Sequence, residues 1–184
     1  GKWVTPGLID VHSHLGVYPS PSHEANEDGN EMTDPVTAEV WAEHAIWTQD
    51  PGFDLARAGG VTSLQILPGS GNLIGGRGVT VKNIPSISMQ GMKFPNAPHA
   101  LKMACGENPK RFYGEKGNSP MTRMGNVAGY RAAWIEAKAY REEWDDYYQQ
   151  DEVGYGGEEI IKPEYDPFYE DIKLKQVLDD ADTR

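Results

Sequence analysis

The sequence predicts an α/β fold, on three observations. Residues 6–14, Pro6-Gly7-Leu8-Ile9-Asp10-Val11-His12-Ser13-His14, read as a buried strand that closes on two histidines spaced i, i+2. Residues 58–67 run from a helix end, Ala58-Gly59-Gly60, directly into a second strand, Val61 to Leu67. Residues 126–149 carry the period of a long helix, with Val127, Tyr130, Trp134, Ala137, Trp144 and Tyr147 recurring along one stripe.

In the first strand, Pro6 and Gly7 mark the entry and Gly16 the exit. Side chains alternate across a strand, so His12 and His14 point to one side, with Asp10 and Leu8 below them. Ile9 and Val11 point to the other side, where helices are expected to cover them. Two imidazoles at a strand end can hold one divalent metal, since imidazole suits zinc, iron, nickel and copper. A bare His-x-His is more often a polar strand end that hydrogen-bonds to its neighbours. The whole nine-residue run is more specific.

That run closely resembles the first barrel strand of the amidohydrolase superfamily, metal-dependent hydrolases built on a (β/α)8 barrel. In that family the strand supplies the first two metal ligands. Ala58-Gly59-Gly60-Val61-Thr62-Ser63-Leu64-Gln65 is similar to the helix end and second strand of the same superfamily. The nearest subgroup by resemblance is the imidazolonepropionase-like and dipeptidase-like one. The fold class this implies is a partial (β/α)8 TIM-type barrel. The chain has 184 residues, whereas a whole barrel takes about 250. It begins almost on the first strand, without Met. The expectation is therefore that residues 1–184 are the N-terminal portion of a hydrolase barrel. That portion amounts to about the first three β/α units with long inserted loops, and it lacks the later strands and the small β domain.

Composition narrows the partners. With 28 acidic against 17 basic residues the formal net charge is −11. Such a chain repels phosphate backbones and anionic lipid, so neither nucleic acid nor membrane is an expected partner. No apolar run approaches the roughly 18 residues of a membrane helix. A single cysteine, Cys105, excludes an internal disulfide and leaves the compartment open. Hydrophobic content of 38% fits long solvated insertions.

Residues 16–35 read as a loop after the first strand, rich in acidic side chains and holding His23. In a barrel this loop lies on the face where active sites are built. Thr33-Asp34-Pro35 reads as a helix start, with a helical pattern from Val36 to Trp47 that includes His44. Asp50-Pro51-Gly52 reads as a break, and Phe53 to Ala58 as a further helical turn. Residues 68–78, Pro-Gly-Ser-Gly-Asn-Leu-Ile-Gly-Gly-Arg-Gly, match neither phosphate-binding glycine motif. They read as a flexible loop whose backbone can approach a ligand. The loop resembles one beside the metal site of the subgroup, which makes Asn72 and Arg77 candidate contacts for a substrate amide or carboxylate.

Val79 to Asn83 and Ile87 to Met89 read as short strands or an extended excursion. The run His99 to Pro109 reads as a third strand emerging onto the same face, with Glu107 just past the strand in Gly-Glu-Asn-Pro. Some amidohydrolases hold their metal with a glutamate at the end of the third strand, and Glu107 resembles that ligand in position. Lys102 is the rival candidate, and His99 a structural residue. Residues 110–124 read as a basic loop. Its Ser119-Pro120-Met121-Thr122-Arg123-Met124 segment resembles one of the subgroup, and Arg123 is a third candidate for a substrate carboxylate. The aromatic stripe of the long helix reads as packing. Asp151 to Pro167 reads as a loop, and Ile172, Leu174, Val177 and Leu178 as a last amphipathic turn.

The resemblance implies a divalent metal, zinc by default and one or two ions, held by His12, His14 and Glu107. Its substrate would be a small molecule with an amide, cyclic amide or peptide bond. The resemblance also places two further histidines on the fifth and sixth barrel strands and a general-base aspartate on the eighth, all beyond Arg184. A second polypeptide or a C-terminal segment is thus expected to complete the barrel. A different class of reading is an inactive fragment, or a metal- or protein-binding piece without the remaining catalytic residues.

Overall fold

A computed structural model describes residues 1–153, 162–166 and 169. Four strands form one sheet in the order β1 (Leu8–Ser13), β2 (Val61–Ile66), β3 (Ile74–Lys82) and β4 (Ala100–Met103). β1 and β2 are parallel, as a β/α repeat requires. β3 is antiparallel to both β2 and β4, so the sheet is mixed. Residues 67–73, which join β2 to β3, are too few for the crossover that a parallel pair needs. A helix-linked crossover does join β1 to β2.

That helix, α1 (Pro51–Ala58), starts on the residues that the sequence reads as a break. Asp50 caps it, accepting the Gly52 N–H at 2.8 Å, and Pro51 takes the first turn, where its missing N–H costs nothing. The same carboxylate accepts the N–H of Gly16 at 2.9 Å and of Ser20 at 3.2 Å. One buried side chain therefore ties the loop after β1 to the start of α1. Gly60, at φ +92°, turns the chain from the helix into β2.

Leu64 and Ile66 of β2 alternate onto one face and pack with Val79 and Val81 of β3 and Phe53 of α1. Asn83 closes this layer by donating to the carbonyls of Phe53 and Val61. A second cluster joins Ile74 and Ala38 to Ala133 and Ala137 of the long helix α4 (Arg123–Val153), with Tyr130 and Trp134 against it. The stripe of α4 is packing from Tyr130 to Trp144, whereas Val127 at its start is 54% exposed. Among the described residues no helix is long and apolar enough to cross a membrane.

Several expectations are corrected. Val36 to Trp47 is not a helix. Its backbone lies along β3 instead: Thr37 donates to Ile74, Ile74 to Pro35, and Arg77 to Val40. Only Ala42–His44 forms a short 3-10 turn. Asp34, read as a helix cap, accepts the Val36 N–H in a local turn. Residues 74–78 are the first half of β3, not a flexible loop, because their glycines let Val40 and β4 approach. Ile87 and Ser88 are not in a strand, and Met89 opens a short helix, α2 (Met89–Met92).

The loop expected over residues 110–124 is helical at its start, where residues 110–115 belong to α3 (Glu107–Glu115), and irregular over residues 116–122. The helix α3 carries Glu107 and Pro109 in its first turn, where an acid and a proline are both favoured. β1 is not buried. Ile9 and Val11 are 71% and 69% exposed, since β1 is an edge strand and no described helix covers its outer side. The amphipathic turn at Ile172, Leu174, Val177 and Leu178, and most of the loop before it, lie outside the described residues.

Candidate metal centre

His12 and His14 do meet at the end of β1. Their ring centroids are 5.1 Å apart and the rings are nearly perpendicular. The pairing of β1 with β2 shifts between Asp10 and Ser13, so β1 carries an extra residue beside His12. Such a bulge re-aims side chains locally. Asp10 accepts the His12 backbone N–H at 3.1 Å and steadies the turn of the chain there.

His14 Nδ1 lies 2.8 Å from the Leu67 carbonyl oxygen. A carbonyl only accepts, so Nδ1 carries the proton and Nε2 keeps its lone pair. A carbonyl that fixes the tautomer in this way is the usual support of a metal-ligating histidine. Burial lowers the His14 pKa, and Lys102 and His12 lower it further, against the Leu67 hydrogen bond and Asp10. The ring is thereby held in the neutral form that binds metal.

Lys102 of β4 completes the group. It is 6% exposed, and its Nζ donates to the Pro68 carbonyl at 3.0 Å and to His12 Nε2 at 3.4 Å. Burial lowers its pKa as well. His14 thus presents a free Nε2, whereas the Nε2 of His12 accepts from Lys102, a contact that a metal would have to displace. The pair fits a divalent metal as two of its ligands. Among the described residues no third histidine, cysteine, aspartate or glutamate joins them.

The other candidates lie apart. Glu107, in the first turn of α3, is exposed and has no described contact with either histidine. Asn72 is 1% exposed. Its amide nitrogen lies within hydrogen-bond reach of the carbonyls of Glu31 and Asp34, of the Thr37 hydroxyl and of the Tyr113 hydroxyl, among which its two N–H groups are shared, while its oxygen accepts from Asn30. A substrate would reach it only by displacing those partners. Arg77 pairs with Leu101, the neighbour of Lys102, and so projects from the opposite face of the sheet. There its guanidinium lies 4.1 Å from the centre of the Trp41 ring, and burial lowers its pKa. Arg123 opens α4 and lines a separate surface hollow with Met124, Val127, Ala128 and Arg131.

His23, His44 and His99 serve local structure. His23 accepts the Ala25 N–H, His44 stacks on Trp41, and His99 binds the Gly78 carbonyl.

A polar chain missed in the sequence leads away from His14. The Tyr18 ring stands edge-on to it at 5.8 Å, and the Tyr18 hydroxyl donates to Asn30 at 2.5 Å. Asn30 donates to Asn72, which reaches Tyr113 on α3. Burial, with Asp34 and Glu31 nearby, pushes the Tyr113 pKa up to about 12, so its hydroxyl stays a donor and holds the Asp34 carbonyl at 2.6 Å. The signal for this chain would have been the short polar residues in the loop after β1. None of them has a recognisable spacing.

Comparisons with known proteins bear on this arrangement. No family model matches the chain. It is similar to the amidohydrolase tasK of Hapsidospora irregularis, at 37% identity over 174 residues, which is 89% of this chain and 18% of that protein. It also superposes on the crystal structure of an amidohydrolase from Thermotoga maritima MSB8, at a TM-score of 0.80 and 40% identity. That match covers 91% of this chain and 41% of the Thermotoga chain. The chain therefore spans less than half of either relative. Its mixed α/β sheet matches the corresponding part of an amidohydrolase fold and is consistent with part of a barrel. Both relatives support placing the chain in an amidohydrolase-like family.

Proposed function

We propose that this chain carries the first metal-ligating strand of a metal-dependent hydrolase that cleaves an amide, cyclic amide or peptide bond. The observation that carries the reading is the His12/His14 pair, with His14 oriented by the Leu67 carbonyl. Two relatives named amidohydrolase support it. His12 and His14 would hold a divalent ion, zinc by default, in a site of one or two ions. Bound there, such an ion lowers the pKa of a coordinated water toward neutrality and supplies hydroxide at working pH.

The chain's own residues prepare that site. The Leu67 carbonyl holds the proton of His14 on Nδ1 and leaves Nε2 to the ligand. Lys102 sets a donor beside His12, placed to meet a carbonyl oxygen as it gains negative charge. Lys102 is thus the amine beside the pair, and Glu107, with no described contact to either histidine, stays a candidate ligand by resemblance. The general base and the remaining ligands would come from further polypeptide that completes a barrel, in keeping with coverage of 41% of the Thermotoga chain.

The test is hydrolysis by the whole protein of N-acyl amino acids, dipeptides and cyclic amides, with and without a chelator. The expected result is turnover that the chelator abolishes and zinc restores, and that is lost in His12→Ala and His14→Ala. Wild-type turnover in the double alanine variant would sink the reading.

A further inference from the structure

The long helix α4 turns one side to the sheet and leaves the opposite side bare. Ala133 and Ala137 pack with Ile74 of β3, and Tyr140 and Trp144 continue that buried side. On the opposite side Met124, Ala128, Arg131, Ile135, Glu142 and Asp146 recur at helical spacing and share one face. Met124 is 80% exposed there and Ile135 67% exposed. Val127 flanks them, and with Arg123, Met124, Ala128 and Arg131 it lines a surface hollow of about 570 Å³. This face points away from the sheet, so strands that complete a barrel would not cover it. An apolar stripe rimmed by charge marks a surface that meets another protein.

The charges along this side of α4 divide by halves. Arg123 and Arg131 stand toward the N-terminus, Glu142, Asp145 and Asp146 toward the C-terminus, and Ile135 between them. Among the described residues neither arginine forms an ion pair. Glu142 meets Lys138, one turn back, in an exposed contact of 3.7 Å. A helix whose halves carry opposite charge is complementary to a second copy of itself laid antiparallel. Parallel pairing would set acid against acid over the C-terminal half, which is unfavourable.

We propose that this face of α4 is an interface between two copies of the whole protein, with the two helices antiparallel about a two-fold axis at Ile135. A self-complementary patch on a two-fold axis is the commonest basis of a protein dimer. With Ile135 opposite its own copy, Ala128 lies opposite Glu142 of the second copy and Met124 opposite Asp146. The hollow between Arg123 and Arg131 then receives two carboxylates of the second copy, and symmetry makes the same contact twice. Ala128 and Ala139 are short on either side of the axis and let the helices approach closely. One helix pair lies at the small end of protein interfaces, so the dimer is expected to be of micromolar strength.

The test is sedimentation velocity of the whole protein over a concentration series spanning the micromolar range. The wild type is expected to pass from monomer to dimer. Ile135→Glu should weaken that dimer by about a hundredfold or more, because the axis sets the two new carboxylates against each other. Ile135 is exposed, so the variant should keep the wild-type circular dichroism. Arg131→Glu and Glu142→Arg should each weaken the dimer by about tenfold, and the two together should restore it, since the exchange recreates the opposite charges across the axis. A wild type that stays monomeric would overturn the proposal. So would a dimer indifferent to Ile135→Glu, or a double exchange that restores nothing. A monomeric wild type that Ile135→Glu destabilises would overturn it as well, since further polypeptide of the same protein would then cover the face.

Discussion

His14 shows how much of the site one residue and its neighbours determine. The i, i+2 spacing predicts both imidazoles on one side of β1, and they do meet there although the extra residue between Asp10 and Ser13 interrupts the regular pairing. The Leu67 carbonyl that fixes the tautomer and the Lys102 amine beside His12 come from residues far along the chain, and no local pattern announces them. The geometry ranks the third group. Lys102→Met should lower turnover by about a hundredfold, as removal of a donor to a developing oxyanion does, and should leave zinc affinity undiminished, because its ammonium sits against the Nε2 that a metal would take. Glu107→Gln should change turnover by much less, and equilibrium dialysis measures zinc affinity in both variants.

Asn72 was legible as a polar residue in a glycine-rich stretch, but not as a buried hub. Its replacement by alanine leaves the Asp34 carbonyl, Thr37 and Asn30 short of a partner. The expected cost is about 2 kcal/mol or more in urea unfolding.

At the scale of elements, the readable parts are those whose partners are close in sequence. β1, the end of α1 with β2, and α4 all follow from short-range signals. Val36 to Trp47 reads as a helix because its apolar spacing suits one, while its backbone hydrogen bonds go to β3. Tertiary pairing overrides propensity there. The start of β3 reads as a loop for the converse reason, since glycines that look like a flexible loop serve a close approach of two chains.

Gly76 tests this directly. It sits at φ +103°, and a Cβ there would meet the Val40 carbonyl oxygen at 2.3 Å. Gly76→Ala should destabilise the fold by about 1–3 kcal/mol or more. It should also lower amide-exchange protection at Arg77, whose N–H donates to Val40.

Over the whole molecule, the mixed sheet, the exposed outer face of β1 and the histidine pair at its end are the features on which the proposed hydrolase reading rests. The antiparallel β3 is the main departure from a regular β/α repeat, and it has a use. By pairing with β4 it carries Lys102 to within 3.4 Å of His12 and Arg77 to the opposite face. The central claim is that His12 and His14 together hold a divalent metal. The most direct measurement is the metal content of the purified whole protein by mass spectrometry, beside the His12→Ala/His14→Ala variant at equal folding by circular dichroism. The account predicts at least one equivalent of zinc or another divalent metal in the wild type and a loss of at least one equivalent in the variant. Equal metal content in the two proteins would contradict it.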